Sequence, residues 1–191
     1  MKHLLWVVLM VLLAGCSQLQ TREALTPADP VPVLQLQNWS LDGRIGIRYD
    51  GEINSANLSW QQQPERYTIA LTGPLGQGGL RIESDGRVVS LQQAGSDEVH
   101  RAATPEALMQ QLLGWYLPLS HARFWVRGLP DPSLSWQGLA QEQGFSQAGW
   151  KVEYDRYTRA GTLVLPEKIR LTRPDLRITL VINRWTTDPP P

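Results

Sequence analysis

The chain has a single cysteine, Cys16, in 191 residues. One thiol excludes an internal disulfide and a multi-thiolate metal cage, so stability has to come from an ordinary core. Histidine is nearly as scarce. Its three positions, His3, His100 and His121, have neither metal-ligand spacing nor the spacing of a Ser-His-acid triad, and His100 and His121 read as surface residues. No charge sign dominates: 18 Lys and Arg stand against 18 Asp and Glu without a basic block, which gives no support for nucleic-acid binding. Gly73 and Gly78 have the interval of a phosphate loop, but Gly79-Leu80 follows where Lys and Ser/Thr are required, so no nucleotide site is expected. Acid pairs such as Asp97-Glu98 fall on turns and read as solvated charge. No cofactor, metal or catalytic set is predicted, and the chain reads as a non-enzyme.

One long apolar run is present, Leu4 to Leu13. It is shorter than the ~20 residues of a bilayer span and fits the core of a signal peptide. Leu13-Ala14-Gly15-Cys16 follows, the pattern of a bacterial lipoprotein signal. Cleavage after Gly15 and acylation of Cys16 are expected, so 1–15 is a signal peptide, and Ser17 in place of Asp points to the outer membrane. Loss of Lys2 leaves 17 basic and 18 acidic residues, a net of −1. Ser17 to Leu36, with Pro27, Pro30 and Pro32 and no sustained period, reads as a disordered tether. Twenty such residues reach at most roughly 65–70 Å. The predicted organisation is a lipidated N-terminus and tether over 16–37, one domain over 38–186, and a disordered tail over 187–191.

From Trp39 the hydrophobic period is two. Trp39, Leu41, Gly43, Ile45, Ile47 and Tyr49 share one face, and Asp50-Gly51 marks a hairpin. Ala56, Leu58 and Trp60 continue the pattern, then Tyr67, Ile69 and Leu71, Leu80 and Ile82, Val89 and Leu91, with a weaker strand at Glu98 to Ala102. Six short strands joined by tight turns predict an antiparallel meander. Thr104-Pro105-Glu106 starts a helix bearing Leu108, Leu112 and Trp115 on one face, with Gly114 as its stop. Ser120 is the expected cap of a second helix, stapled by Leu119 and Phe124 and ended by Gly128-Leu129-Pro130. Asp131 to Gln143 reads as loop. Strands return at Gly149 to Tyr157, Leu163 to Leu171 and Leu176 to Trp185. The fold class expected is mainly β (α+β): an incomplete antiparallel barrel around an apolar cavity, with a helical lid inserted mid-chain.

Two features stand out on this frame. Tryptophan is abundant, eight against two phenylalanines, and seven of the eight lie beyond the predicted signal peptide. As a set, these large rigid surfaces with one donor each suit a wide apolar cavity, although each alone has an equal reading as core. The second feature is Leu75 within Gly73-Pro74-Leu75-Gly76-Gln77-Gly78-Gly79. Burial of a leucine is worth roughly 1.5–3 kcal/mol, so one in a loop needs either a core contact or a role.

Taken in order, the chain resembles the LolB family of outer-membrane lipoprotein receptors over nearly its whole length. The resemblance rests on the signal ending at Cys16, Gly43-Arg44-Ile45, Trp60-Gln61-Gln62, Pro74-Leu75-Gly76 and Leu117-Pro118-Leu119. It continues with Trp125 before Gly128-Leu129-Pro130, Trp150-Lys151-Val152 with Tyr154, and Trp185. It implies an incomplete barrel closed by helices around an apolar cavity. It further implies a monomeric receptor that takes lipoproteins by their acylated N-termini from the periplasmic carrier LolA. The receptor then inserts them into the inner leaflet of the outer membrane, without nucleotide. Membrane insertion would fall to the loop Pro74, Leu75 and Gly76, with Leu75 protruding. Trp60, Tyr67, Leu112, Trp115, Trp125 and Trp150 are the expected lining of the acyl-chain cavity. The competing readings are a tethered structural or envelope-assembly lipoprotein without acyl ligand, and a lipid esterase dependent on His100 or His121.

Overall fold

The computed structural model describes residues 25, 29–76, 78–141 and 143–187. The predicted signal peptide and Cys16 lie outside this range, as do residues 188–191. Six strands come first: β1 (Trp39–Tyr49), β2 (Glu52–Gln62), β3 (Tyr67–Thr72), β4 (Gly79–Ser84), β5 (Val89–Gln93) and β6 (Val99–Ala102). Each pairs antiparallel with the next. The β1–β2 turn is set by Asp50 and Gly51, both at positive φ (48° and 77°), the conformation that matches strand twist in a two-residue hairpin. A second meander follows: β7 (Trp136–Gly138), β8 (Gly144–Gln147), β9 (Trp150–Ala160), β10 (Leu163–Arg173) and β11 (Leu176–Thr187). The two meanders join where β1 pairs with β11, giving one 11-stranded sheet with β6 and β7 at its edges. A bulge at Asp42/Gly43 bends that junction, and Gly43 is required there because a Cβ would strike the carbonyl of Val181. The sheet does not close into a barrel.

The register gives the sheet two ends. Trp39, Gln62, Tyr67, Ser84, Val89 and Ala102 are neighbours at one end. Tyr49, Glu52 and Leu176 meet at the other, as do the Leu75 turn and the β10–β11 turn. The chain passes from edge β6 to edge β7 through two helices that cross the open side. Helix α2 (Pro105–Leu113) is capped by Thr104, whose hydroxyl accepts from the Ala107 N–H at 3.3 Å, and ends at Gly114 in the left-handed region (φ 75°). Helix α3 (Leu119–Trp125) runs back. Its N-terminal flank is Pro118 without a side-chain cap, so the expected Ser120 cap is corrected: Ser120 is inside the first turn. Its stop is as expected, with Gly128 at φ 92° and the Leu129 and Gly128 N–H groups donating to Phe124 and Trp125 carbonyls.

Alternation decides which face is buried. Leu41, Ile45, Leu58, Trp60, Ile69, Ile82, Leu91, Val152, Ile169 and Ile178 all point inward beneath the helices, into one apolar cluster. Three expectations change. The segment expected as tether ends in a short helix, α1 (Val31–Gln35), with Val33 and Leu36 buried, because Arg127 draws their carbonyls inward. The segment expected as loop contains β7, paired to the unexpected strand β8. Both strands are too short to show a clear period. The tail begins later than expected: Thr187 pairs with Trp39.

Candidate functional site

The structure brings the six expected lining residues to one apolar cluster from five directions: Trp60 on β2, Tyr67 on β3, Leu112 on α2, Trp125 at the end of α3, Trp150 on β9, and Trp115 just after α2. Trp60 stacks at a tilt on Trp39 (5.2 Å between centroids) and Trp125 on Trp150 (6.2 Å). Trp60, Trp125 and Trp150 are 3%, 0% and 2% exposed, so these three lie in the interior, away from bulk solvent. Tyr67, Leu112 and Trp115 are only partly buried and form the rim.

Polar groups that sequence reasoning missed hold α3 in place. Gln147, buried on β8, accepts through Oε1 from the Trp125 indole N–H and the Asp131 backbone N–H, both at 2.8 Å. Its amide nitrogen donates to the carbonyls of Asp131 and Leu134. Tyr154 donates its hydroxyl to the Trp125 carbonyl at 2.8 Å, and burial pushes its pKa well above that of an ordinary tyrosine. Asp131 lies 2.7 Å from Nδ1 of His121, which corrects the surface reading of that histidine. Burial works to raise the Asp131 carboxyl, but hydrogen bonds from Ser133 and His121 outweigh it and hold the pKa below the usual value. This is not a nucleophilic triad: the Ser133 hydroxyl donates to the same aspartate, not to the histidine. No periodicity marks a lone Gln or Asp in a loop-like stretch. The one signal available was Asp131 directly after a helix stop, where a carboxylate commonly receives local N–H groups.

Helix α2 is held differently. Only Leu108 and Met109 of it are buried. Its far end is tied by the Tyr49 hydroxyl donating to the Gly114 carbonyl at 2.9 Å. Under its first turn, the Tyr67 hydroxyl and Glu106 Oε1 are buried without a hydrogen-bond partner among the described residues. Burial, with the Glu106 charge second, raises the Tyr67 pKa. An unpaired buried polar group costs about 1–3 kcal/mol, so the contact between α2 and the sheet contains a built-in weakness.

The loop singled out in the sequence joins β3 to β4. Pro74–Gly76 form one tight turn, with the Gly76 N–H donating to the Gly73 carbonyl at 3.1 Å. Pro74 and Gly76 are exposed. Gln77 and the side chain of Leu75 lie outside the described part, so the expected protrusion of Leu75 is a matter for the proposal below. Gly79 closes the loop at φ 143°, where a Cβ would meet the Leu71 carbonyl.

The fold has relatives among solved structures. A DUF1329 family protein from Desulfovibrio piger aligns with a TM-score of 0.54 at 8% identity, over 83% of this chain and 88% of that one. A LolA superfamily protein from Nitrosomonas europaea aligns at 0.52 and 10%, over 88% and 96%. The open sheet with helices across its apolar face is thus a fold that the chain shares with both of these proteins. Sequence comparison is more specific. The family model Outer membrane lipoprotein LolB matches residues 37–185. Outer-membrane lipoprotein LolB of Pseudomonas fluorescens is 38% identical over 97% of this chain and 96% of its own length. Those of Stutzerimonas stutzeri and Chromohalobacter salexigens are each 41% identical, over 97% and 95% of this chain and 95% and 88% of theirs. The chain belongs to the LolB family. It is accordingly an outer-membrane protein with a role in lipoprotein localisation, in a family not known for enzymes.

Proposed function

We propose that this protein, anchored through acylated Cys16 and facing the periplasm, receives lipoproteins from a LolA-type carrier. It takes up their acyl chains beneath α2 and inserts them into the inner leaflet of the outer membrane without nucleotide. The observation that carries the reading is the tryptophan-rich apolar interior closed by two helices, one pinned by buried hydrogen bonds and one held weakly. A 16-carbon chain left in water costs on the order of 12 kcal/mol, so a lipoprotein has to pass directly from one apolar interior to the next. Here α2 acts as the lid. Its lifting returns the Tyr67 hydroxyl and Glu106 to water, exposes Leu112 and Trp115, and lets a chain slide between them and Trp60, Trp125 and Trp150. Two stacked indole pairs can part and close on an alkyl chain without leaving empty space. The Pro74-Leu75-Gly76 turn is the membrane-inserting tip, at the end of the sheet where α2 finishes.

The test is transfer of an acylated lipoprotein from purified carrier to this chain, followed by delivery to vesicles. Transfer is expected with no nucleotide present. Failure to take up the lipoprotein, or a fluorescent apolar probe, with an intact fold would favour a tethered structural lipoprotein instead.

A further inference from the structure

A second feature lies at the other end of the sheet. A cleft of about 240 Å³ is walled by Leu34, Leu36, Trp39, Pro64, Phe124 and the guanidinium groups of Arg123 and Arg127. The guanidinium carbons of Arg123 and Arg127 stand 4.9 and 5.1 Å from the centre of the Phe124 ring. Arg127 is 6% exposed, and its Nη1 donates to the carbonyls of Val33 (2.9 Å) and Leu36 (2.6 Å). Arg123 donates through Nη1 to the Pro64 carbonyl at 3.2 Å, while its Nε is buried with no partner. No acidic side chain lines the cleft, and neither arginine has a carboxylate partner among the described residues. Burial, and then the Arg123 charge, lowers the Arg127 pKa to about 10. Two like charges are thus held together, partly out of water and without a counter-ion among the described residues. That is costly unless an anion completes the set.

We propose that this cleft binds the phosphate of a phospholipid headgroup. Guanidinium forks match phosphate oxygens, and neutral carbonyl partners leave their charge free. Free phosphate would need only the charge. The apolar wall, and the exposed Leu34 and Val31 beside it on α1, argue for an amphiphile whose headgroup meets the arginines while its glycerol and upper chain lie on Leu34, Leu36 and Phe124. The cleft is separate from the acyl-chain interior, and its assignment does not rest on that reading. Because cleft and Leu75 turn occupy opposite ends of the sheet, one bilayer surface cannot seat both. Headgroup contact at the cleft therefore belongs to an orientation in which the Leu75 turn faces away from the membrane.

The test titrates the purified full chain with dihexanoylphosphatidylglycerol below its micelle concentration, following quenching of tryptophan fluorescence, since Trp39 is in the cleft wall. Saturable binding that weakens with added salt is expected. Arg123→Gln should weaken it at least tenfold at an unchanged thermal midpoint, and Arg123→Lys only a few-fold. Arg123→Met keeps the apolar stem over Phe124 and carries the same expectation as the glutamine variant, should that one fold poorly. Dihexanoylglycerol has the same tails without phosphate and reports the interior, so its binding should not change in these variants. Equal phosphatidylglycerol binding by the parent chain and both neutral variants overturns the site. Glycerol phosphate binding as tightly as phosphatidylglycerol overturns the headgroup assignment and makes the cleft a site for free phosphate.

Discussion

Trp125 and Gln147 are joined across the interior by an indole N–H donating to an amide oxygen at 2.8 Å, with both side chains buried. That bond ties the helix hairpin to the β8 strand, and Gln147 also satisfies the Asp131 backbone. Replacing Gln147 by Leu keeps the volume but strands the Trp125 and Asp131 N–H groups and the carbonyls facing the amide. Unpaired buried groups cost about 1–3 kcal/mol each and do not add fully. The expected loss is about 3 kcal/mol, read as a lower urea midpoint at unchanged slope.

Tyr49→Phe addresses the lid. It removes the hydroxyl that holds the Gly114 carbonyl at the end of α2. One such bond contributes about 0.5–1.5 kcal/mol, so the open population should rise roughly two- to tenfold. Stopped-flow uptake of a fluorescent fatty acid should accelerate by that factor. An unchanged rate would move the lid function away from α2.

Leu75→Glu separates packing from delivery. The turn around it is built by the backbone hydrogen bond from Gly76 to Gly73 and by glycines at positive φ. The thermal midpoint should therefore stay within a degree or two while transfer of a lipoprotein into vesicles falls at least tenfold. A drop in stability of 2 kcal/mol or more, the scale of a buried leucine, would instead make Leu75 a core residue.

Alkaline pH should destabilise the fold. Burial raises the hydroxyl pKa of Tyr67 and Tyr154, and pushes Tyr157 up to about 12. Groups whose pKa is higher folded than unfolded contribute stability that is complete below the unfolded value, about 10, and lost as pH rises through the folded value. Denaturant midpoints should fall steadily between pH 10 and 12. Tyr154→Phe should flatten part of that slope, while lowering stability at neutral pH by the lost bond to the Trp125 carbonyl.

Much of the fold was legible because strands buried on one face must alternate. The inward sets on β1 to β5 and β9 came from that rule alone, and Thr104, Gly114 and Gly128 marked helix ends through local backbone chemistry. Local rules failed where tertiary contacts decide. Val31–Gln35 has no helical period worth noting, and it is ordered by a guanidinium more than ninety residues away. The Trp136–Gly138 strand exists because β8 offers it an edge, and it leaves Trp136 55% exposed. His121 gained a buried carboxylate from a stretch read as loop.

The sequence by itself determined the kind of fold: alternating strands around a helical insertion, with tryptophans on the inward faces. These depend on composition and on short-range periodicity, which a linear chain displays directly. Only the tertiary structure decided that Trp39 packs on Trp60 and Trp125 on Trp150, that buried hydrogen bonds hold α3 while α2 hangs on the Tyr49 hydroxyl, and that Arg123 and Arg127 share a cleft without a counter-ion among the described residues. Those properties depend on the distances between groups far apart in the chain, which are set only when the sheet's two meanders join at β1 and β11.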